Sequence, residues 1–222
     1  MYSLVKRIID IVTAILALII LCPLFLLIII ILLFTGEHEV FYRQKRIGYL
    51  NKPFYIWKFA TMLKNSSKMG TGEITVRNDP RVTVFGKFLR ISKINELPQL
   101  INILQGNMSL VGPRPLMQVS FELYSDDIRE NIYQSKPGIT GIGSLIFRDE
   151  EKILSDAEDP RLMYSVIYPY KGELELWYLK NVSFLVDMKI IFLTAYTILF
   201  PQNHLAVKIF KDLPIKDFEF AS

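Results

Sequence analysis

The chain holds one cysteine, Cys22, and two histidines, His38 and His204. A single thiol excludes a disulfide framework, and nothing around either histidine has the spacing of a zinc or iron–sulfur ligand set. Both histidines are read as structural. Also absent are a Walker-type Gly-rich loop, a G-x-S-x-G turn and an H-E-x-x-H helix, which leaves those nucleotide-binding and hydrolase routes without support. There is no internal repeat and no low-complexity tract. Neither sign of charge dominates, with 26 Lys and Arg against 22 Asp and Glu. The net charge of +4 suits a protein resting near an anionic leaflet and is too small to argue for nucleic acid. An apolar content of 51% excludes disorder.

What is present begins with a charge-free stretch, IVTAILALIILCPLFLLIIIILLF, from Ile11 to Phe34. As a helix it is roughly 36 Å long, enough for a hydrocarbon core of about 30 Å. A cleaved signal would need a shorter apolar core and a small-residue cleavage site. Pro23 sits at the middle, where it removes a backbone donor and kinks a helix. Both flanks are basic: Lys6 and Arg7 before, Arg43, Lys45, Arg46, Lys52 and Lys58 after. Positive residues favour the cytoplasmic side, and here both ends ask for it. A re-entrant hairpin broken near Cys22-Pro23 satisfies both flanks, whereas a straight span satisfies one. Asp10 is expected to pair with Lys6 or Arg7, or to face water.

Beyond Phe34 the pattern is globular. Val40 to Lys58 reads as short strands about a turn, Lys64 to Asn78 as a loop, and Asp79 to Arg81 as a turn. Asn95 to Gln105 reads as a helix, with Asn95 as its cap, Pro98 in the first turn and Gly106 at the C-terminal end. Pro115 to Gln134 is expected as a second helix, and Lys136 to Ser144 as a Gly-rich turn and strand. Pro160 to Tyr178 is expected as a helix interrupted near Pro169–Gly172. Val182 to Phe200 is strongly apolar, and Asp187 and Lys189 make it an interfacial or core helix rather than a span. The organisation is an anchor over 1–36, a domain over 37–200 and a tail over 201–222.

Candidate chemistry gathers in NELPQLINILQGNMSLVGPRP, Asn95 to Pro115. A helix start suits a phosphate, and Glu96 beside it suits a hard cation such as magnesium. Arg114 stands between two prolines that stiffen its backbone, and arginine contacts phosphate bidentately. Arg90 lies six positions before Glu96. Together they point to an anionic, phosphate-bearing ligand; the plain alternative is a solvated basic face. RDEE, Arg148 to Glu151, is a second acidic group, and also reads as an ordinary helix start.

These segments resemble the bacterial sugar transferases known as small monotopic phosphoglycosyl transferases. The resemblance runs from Lys6 to about Leu199 and is carried by KRIIDI, the mid-anchor Pro23, FYRQKRIG, KFATM, DPRVT, NELPQLINIL, SLVGPRP and KPGITG, in that order. It implies an α/β (α+β) monotopic membrane protein. Its parts would be a re-entrant helix, a small cytoplasmic catalytic domain and amphipathic helices at the interface of the bacterial inner membrane. It implies transfer of a phospho-sugar from a nucleotide diphosphate sugar, usually a UDP-sugar, to a polyprenyl phosphate, starting assembly of a surface glycan. It also implies magnesium and an Asp-Glu dyad whose Asp forms a phospho-sugar intermediate. Lys58, Arg90, Arg114 and Arg148 match positions that handle phosphate or nucleotide. Membrane lipids are expected partners, with a homo-oligomer and downstream glycosyltransferases as further candidates.

The chain departs from that pattern at several points. Asn95 stands where the Asp falls, while Glu96 keeps the Glu. Ala60 replaces a basic residue, Asn107 an acid, and GITGIGSLIF the usual GITGW-type stretch. An amide is a poor nucleophile, so direct attack of the acceptor on the donor is expected, with Glu96 and the acids of Asp149–Glu151 as metal ligands. A divergent branch with relocated carboxylates and an engineered or decayed dyad both fit these changes. The rival reading is a non-catalytic membrane-bound scaffold or substrate-binding relative.

Overall fold

The computed structural model of the chain describes residues 2–66, 79–200 and 205–214, with the side chains of Glu151 and Leu199 excepted. It opens with α1, Tyr2–Phe34, one continuous helix that runs through Pro23 without the break expected near Cys22-Pro23. Most of its side chains are apolar, so exposed and packed faces alike are built of Leu, Ile, Ala and Phe. Before Pro23, Ala14 and its neighbours Ala17, Leu18 and Leu21 pack on Ile56, Leu100, Ile103 and Met108. After Pro23, Leu24, Phe25, Ile28 and Leu32 pack on Phe59 and Leu89. Polar contacts fasten the N-terminal end as well. Arg7 Nη1 donates to the Ile103 carbonyl at 2.7 Å, and Lys6 Nζ and Tyr2 Oη each reach Asp187 Oδ2 at 2.5 Å. Asp10 is not paired with Lys6 or Arg7 and does not face water. It is buried and accepts the Leu110 backbone N–H at 3.0 Å, because the Ser109–Val111 strand passes beneath it.

The expected strand pair is β1, Phe41–Ile47, and β2, Pro53–Phe59, antiparallel with Phe41 opposite Phe59 and Ile47 opposite Pro53. Leu50 and Asn51 turn the chain between them with φ of 54° and 57°. Helix α2, Val84–Ile91, starts at Thr83, whose side chain accepts the Gly86 N–H at 3.0 Å. The Asn95–Gln105 helix is in fact two pieces: a 3₁₀ turn, Ile94–Gln99, and α3, Leu100–Leu104. Lys93, in the left-handed region at φ 59°, is the cap, and Asn95 lies one residue inside, buried. Pro98 cannot donate and falls in the tighter turn. The expected C-terminal glycine holds, since Gly106 has φ 84°. Asn102, fully buried, ties α3 to β2 by donating to the Tyr55 carbonyl at 2.8 Å and accepting the Trp57 N–H at 2.9 Å.

Next come β3, Ser109–Val111, and three short pieces in place of the expected Pro115–Gln134 helix. These are α4, Gln118–Phe121, α5, Asp126–Asn131, and a 3₁₀ turn, Ile132–Gln134. The GPRP segment stays extended to Met117, and buried Tyr124 bends the chain inward before Ser125 begins α5. Strand β4, Gly138–Thr140, pairs parallel with β3, Ser109 opposite Gly138 and Val111 opposite Thr140. Close approach requires glycine here, since a Cβ at Gly138 would stand 2.2 Å from the Gly112 nitrogen.

The remainder is helical: α6, Ile142–Ile146, α7, Glu150–Asp156, α8, Pro160–Asn181, α9, Phe184–Leu199, and α10, Leu205–Ile209. The expected interruption of α8 is absent. Pro169 and Gly172 sit within one continuous helix, and Gly172 is flush against Ile128, whose Cδ1 would lie 2.8 Å from an added Cβ. Packing along the Ile167–Leu174–Tyr178 face outweighs the local cost of proline and glycine. In α9, Ile190 and Leu193 are fully buried while Leu185 and Phe192 are exposed. The segment expected as a tail returns to the core, where Ala206 and Phe210 are buried and the Phe210 ring meets Trp177 edge-on at 5.4 Å. His38 ends α1 structurally, with Nδ1 2.9 Å from the Leu33 carbonyl; His204 and most of Lys64–Asn78 lie outside the described residues. The fold is mixed helix and sheet, with one long apolar helix suited to a membrane anchor.

Candidate active site

A cleft of about 780 Å³ opens where β1, β2, the Ile94–Gln99 turn and the GPRP loop meet. Lys58, Arg90, Asn95, Glu96 and Arg114 all line it. Glu96 is the centre. Its Oε1 accepts from Lys58 Nζ at 3.0 Å and from Arg114 Nη2 at 2.8 Å, and its Oε2 lies 3.4 Å from Arg114 Nη1. The Lys58 and Glu96 side chains are each only 14% exposed, while Arg114, at 34%, carries the triad to the open side of the cleft. Burial disfavours the Glu96 charge, yet Arg114, Lys58 and Lys93 together hold its carboxyl well below the usual range. Burial brings Lys58 down to about 8, with Glu96 opposing the shift and the cations Arg46 and Arg114 adding to it. The Glu96 charge raises the Arg114 guanidinium above its ordinary value.

Three elements place this triad. Strand β2 alternates so that Lys58 falls beside the Ile94–Gln99 turn. Lys93 swings the chain inward so that Glu96 follows it into the cleft. Arg114 comes from the loop after β3, and its carbonyl accepts from Tyr133 Oη at 2.7 Å.

Other cleft residues escaped the sequence reading, where they were no more than flank charges or helix positions. Arg46, from β1, donates to the Pro115 carbonyl at 3.3 Å and to Gln44 Oε1 at 2.5 Å, and its Nε has no hydrogen-bond partner. Burial first, then Arg114, lowers its pKa. Arg81 lines the cleft and is held to Asp79 through Nη2 at 2.5 Å. Tyr164 and Tyr168 of α8 lie on another wall, their hydroxyls 2.6 Å apart, with Ser120 Oγ 2.6 Å from Tyr164 Oη. Burial pushes Tyr168 up to about 12. Their i, i+4 spacing marks one helix face and nothing more, which is why no sequence signal flagged them.

Arg148 is not among the residues that line the cleft. Buried Phe147 fixes the chain at the end of α6, and among the described side chains of RDEE it is Glu150, two residues beyond Arg148, that reaches the cleft, paired with Lys171 at 2.9 Å. Asp149 is exposed at the cap of α7, and the Glu151 side chain lies outside the described atoms.

A hard divalent cation takes oxygen ligands and often only one or two from the protein, the rest from phosphate and water. Glu96 offers a carboxylate, and the neighbouring buried Asn95 Oδ1 has no hydrogen-bond partner. Among the described residues no group of three or more His, Cys, Asp or Glu converges. Glu96 and Asn95 Oδ1 would hold magnesium only jointly with a phosphate group, since both Glu96 oxygens already accept from Lys58 or Arg114.

Comparison with known proteins gives this cleft a context. The family model described as bacterial sugar transferase matches residues 1–201. The exopolysaccharide production protein ExoY of Sinorhizobium fredii is 36% identical over 203 residues, covering 85% of this chain and 83% of that protein. The UDP-glucose:undecaprenyl-phosphate glucose-1-phosphate transferase of Klebsiella pneumoniae is 37% identical over 196 residues, covering 86% of this chain and 39% of the longer protein. The uncharacterized sugar transferase EpsL of Bacillus subtilis is 32% identical over 210 residues, covering 92% and 95% of the two chains. With a family model matched along nearly all of its length, the chain belongs to the bacterial sugar transferases.

Proposed function

We propose that the protein transfers a phospho-sugar from a UDP-sugar to a polyprenyl phosphate and so initiates assembly of a surface glycan. The observation that carries this reading is the triad of Lys58, Glu96 and Arg114 in a cationic cleft that touches the apolar helix. Phe59 lines the cleft, and its ring packs on Phe25 of α1 at 5.2 Å between centroids. A lipid phosphate travelling along α1 would meet the cations there. The relatives support the chemistry, being named as sugar phosphotransferases acting on undecaprenyl phosphate. The scaffold reading rests on Asn95 alone and is not favoured by those names or by the retained triad.

In this mechanism Arg114, Lys58 and Arg46 bind the donor diphosphate and offset the charge that develops on the transferring phosphoryl group. Glu96 and Asn95 Oδ1 would hold magnesium, which supplies further neutralisation of the diphosphate. A phosphate oxygen of the lipid attacks the sugar-proximal phosphorus, the bond to the bridging oxygen breaks, and UMP leaves. No adduct forms at position 95, because the Asn95 amide lacks a carboxylate's nucleophilicity. Apolar walls at Phe59 and Leu154 limit water in competition with the lipid.

The re-entrant placement of α1 belongs to the same proposal. Residues before and after Pro23 pack on one domain, and the N-terminal end is tied to Asp187. A straight helix of this length is roughly 50 Å, and a transmembrane course would carry one end away from the domain. With both basic flanks on one side, that side is the cytoplasm of the inner membrane, and the exposed apolar face of α9 rests at the interface. Incubation with undecaprenyl phosphate and a panel of UDP-sugars tests the function. UMP release dependent on both substrates is expected. UMP formation that ignores the lipid would contradict it.

A further inference from the structure

Glu175 lies in the middle of α8 with 2% of its surface exposed, and the mechanism above does not use it. Lys171, one turn earlier, is committed to Glu150 at 2.9 Å. The Glu175 carboxyl instead meets backbone. Its Oε1 accepts the Arg114 N–H at 3.4 Å, the Gly143 N–H also bonds the carboxyl, and Oε2 has no hydrogen-bond partner. The glycines of GITGIG make this possible, since a Cβ at Gly143 would stand 2.5 Å from Oε1 and one at Gly141 3.5 Å from Oε2. Burial pushes the carboxyl up to about 7, against the pull of the Arg114 N–H, Lys171 and the Arg114 guanidinium. Tyr124 and Tyr133, from the segments flanking α5, and Tyr178 of α8 itself face it, and Glu175 raises the pKa of each. An acid this deep and incompletely partnered is costly to keep in a core.

The other side of the same residue is held as well. Tyr133, 1% exposed, donates its hydroxyl to the Arg114 carbonyl at 2.7 Å and accepts the Leu116 N–H at 2.9 Å. Arg114 is thus gripped at N–H by Glu175 and at C=O by Tyr133, between two prolines that already narrow its backbone.

We propose that Glu175 and Tyr133 are positioning residues that clamp the Arg114 backbone and thereby aim its guanidinium at Glu96 and at the diphosphate of the donor. This rests on the reading of Arg114 as a donor-phosphate ligand. The clamp acts through the Arg114 side chain, so its functional effect exists only while that side chain is present. It also explains why a buried acid on α8 coexists with two glycines at the start of α6: the acid is the anchor point, and the glycines leave room for it.

A double-mutant cycle tests the clamp, with both UMP release and the affinity for plain UDP as readouts. Tyr133→Phe and Glu175→Leu are each made in the parent and in Arg114→Ala. In the parent each is expected to lower kcat/KM for the donor and the affinity for UDP by roughly tenfold; in Arg114→Ala each changes both by less than about twofold, the scatter expected of an abolished coupling. Glu175→Gln keeps an acceptor oxygen and is expected to recover most of the loss. Tyr133→Phe removes only a hydroxyl and decides the matter where Glu175→Leu does not fold. Equal losses in both backgrounds, or parental kinetics in folded Tyr133→Phe, would overturn the clamp while leaving the transferase reading intact. A parent that neither binds UDP nor releases UMP removes that reading and the clamp with it.

Discussion

Replacing Glu175 by Gln is expected to change how stability depends on pH, and the size follows from the structure. The carboxyl titrates near 7 in the folded chain against an ordinary value of 4.5. Two to three units at about 1.36 kcal/mol each is about 3 kcal/mol. Because the folded value is raised, the native state keeps a proton between about pH 4.5 and pH 7 that the unfolded chain has released. The native state then binds more protons, and stability falls as pH rises through that window. Below it the contribution is fully present; above it the contribution is lost. Gln cannot ionise, so this component vanishes from the variant, and groups that titrate alike in both proteins cancel in the difference. Chemical denaturation in detergent at several pH values is the assay. The parent should lose about 3 kcal/mol relative to Glu175→Gln on going from the acid to the alkaline side of the window. A parent–variant gap that stays constant would show that the carboxyl is not buried and under-partnered, and would refute the reasoning.

Arg114→Ala removes charge-assisted contacts to phosphate and should weaken donor use by about 1.5–3 kcal/mol, read as kcat/KM; an unchanged value would move the donor site elsewhere. Intact-mass measurement after adding donor without acceptor should show no adduct on the parent and a phospho-sugar adduct on Asn95→Asp, which returns a carboxylate to the cleft. Cysteine reporters at Ser3 and Thr35, with Cys22 replaced, should both resist labelling from the periplasmic side; Pro23→Ala should shift the chain toward a span in which one of them is labelled.

Much of the site could be read from single residues, because its central members come from two short stretches. Lys58 lies in KFATM, while Asn95, Glu96 and Arg114 lie between Asn95 and Pro115, and the folded chain brings these residues into one cleft. What could not be read was convergence across long separations. Glu175 meets Arg114 across 61 positions, and Tyr164 meets Ser120 across 44. Periodicity places such residues on a helix face and says nothing of what the face meets. Breaker signals misled in both directions. Pro169 and Gly172 mark a local cost that packing on Ile128 and Tyr124 outweighs, so α8 runs through. Pro115 to Gln134 reads as one helix in the sequence, and burial of Tyr124 and Tyr133 divides it. At RDEE a shift of two residues at a helix end places Glu150, and not Arg148, along the cleft.

The most direct test of the central claim follows the sugar-proximal phosphorus. A UDP-sugar carrying radiophosphorus at that position is incubated with the protein, magnesium and undecaprenyl phosphate, and the products are partitioned between water and organic solvent. Phospho-sugar transfer predicts that the label moves to the lipid fraction in step with unlabelled UMP, and that Glu96→Gln abolishes the movement. Label that stays with the nucleotide as UDP, or lipid that remains unlabelled at full donor consumption, would contradict the account.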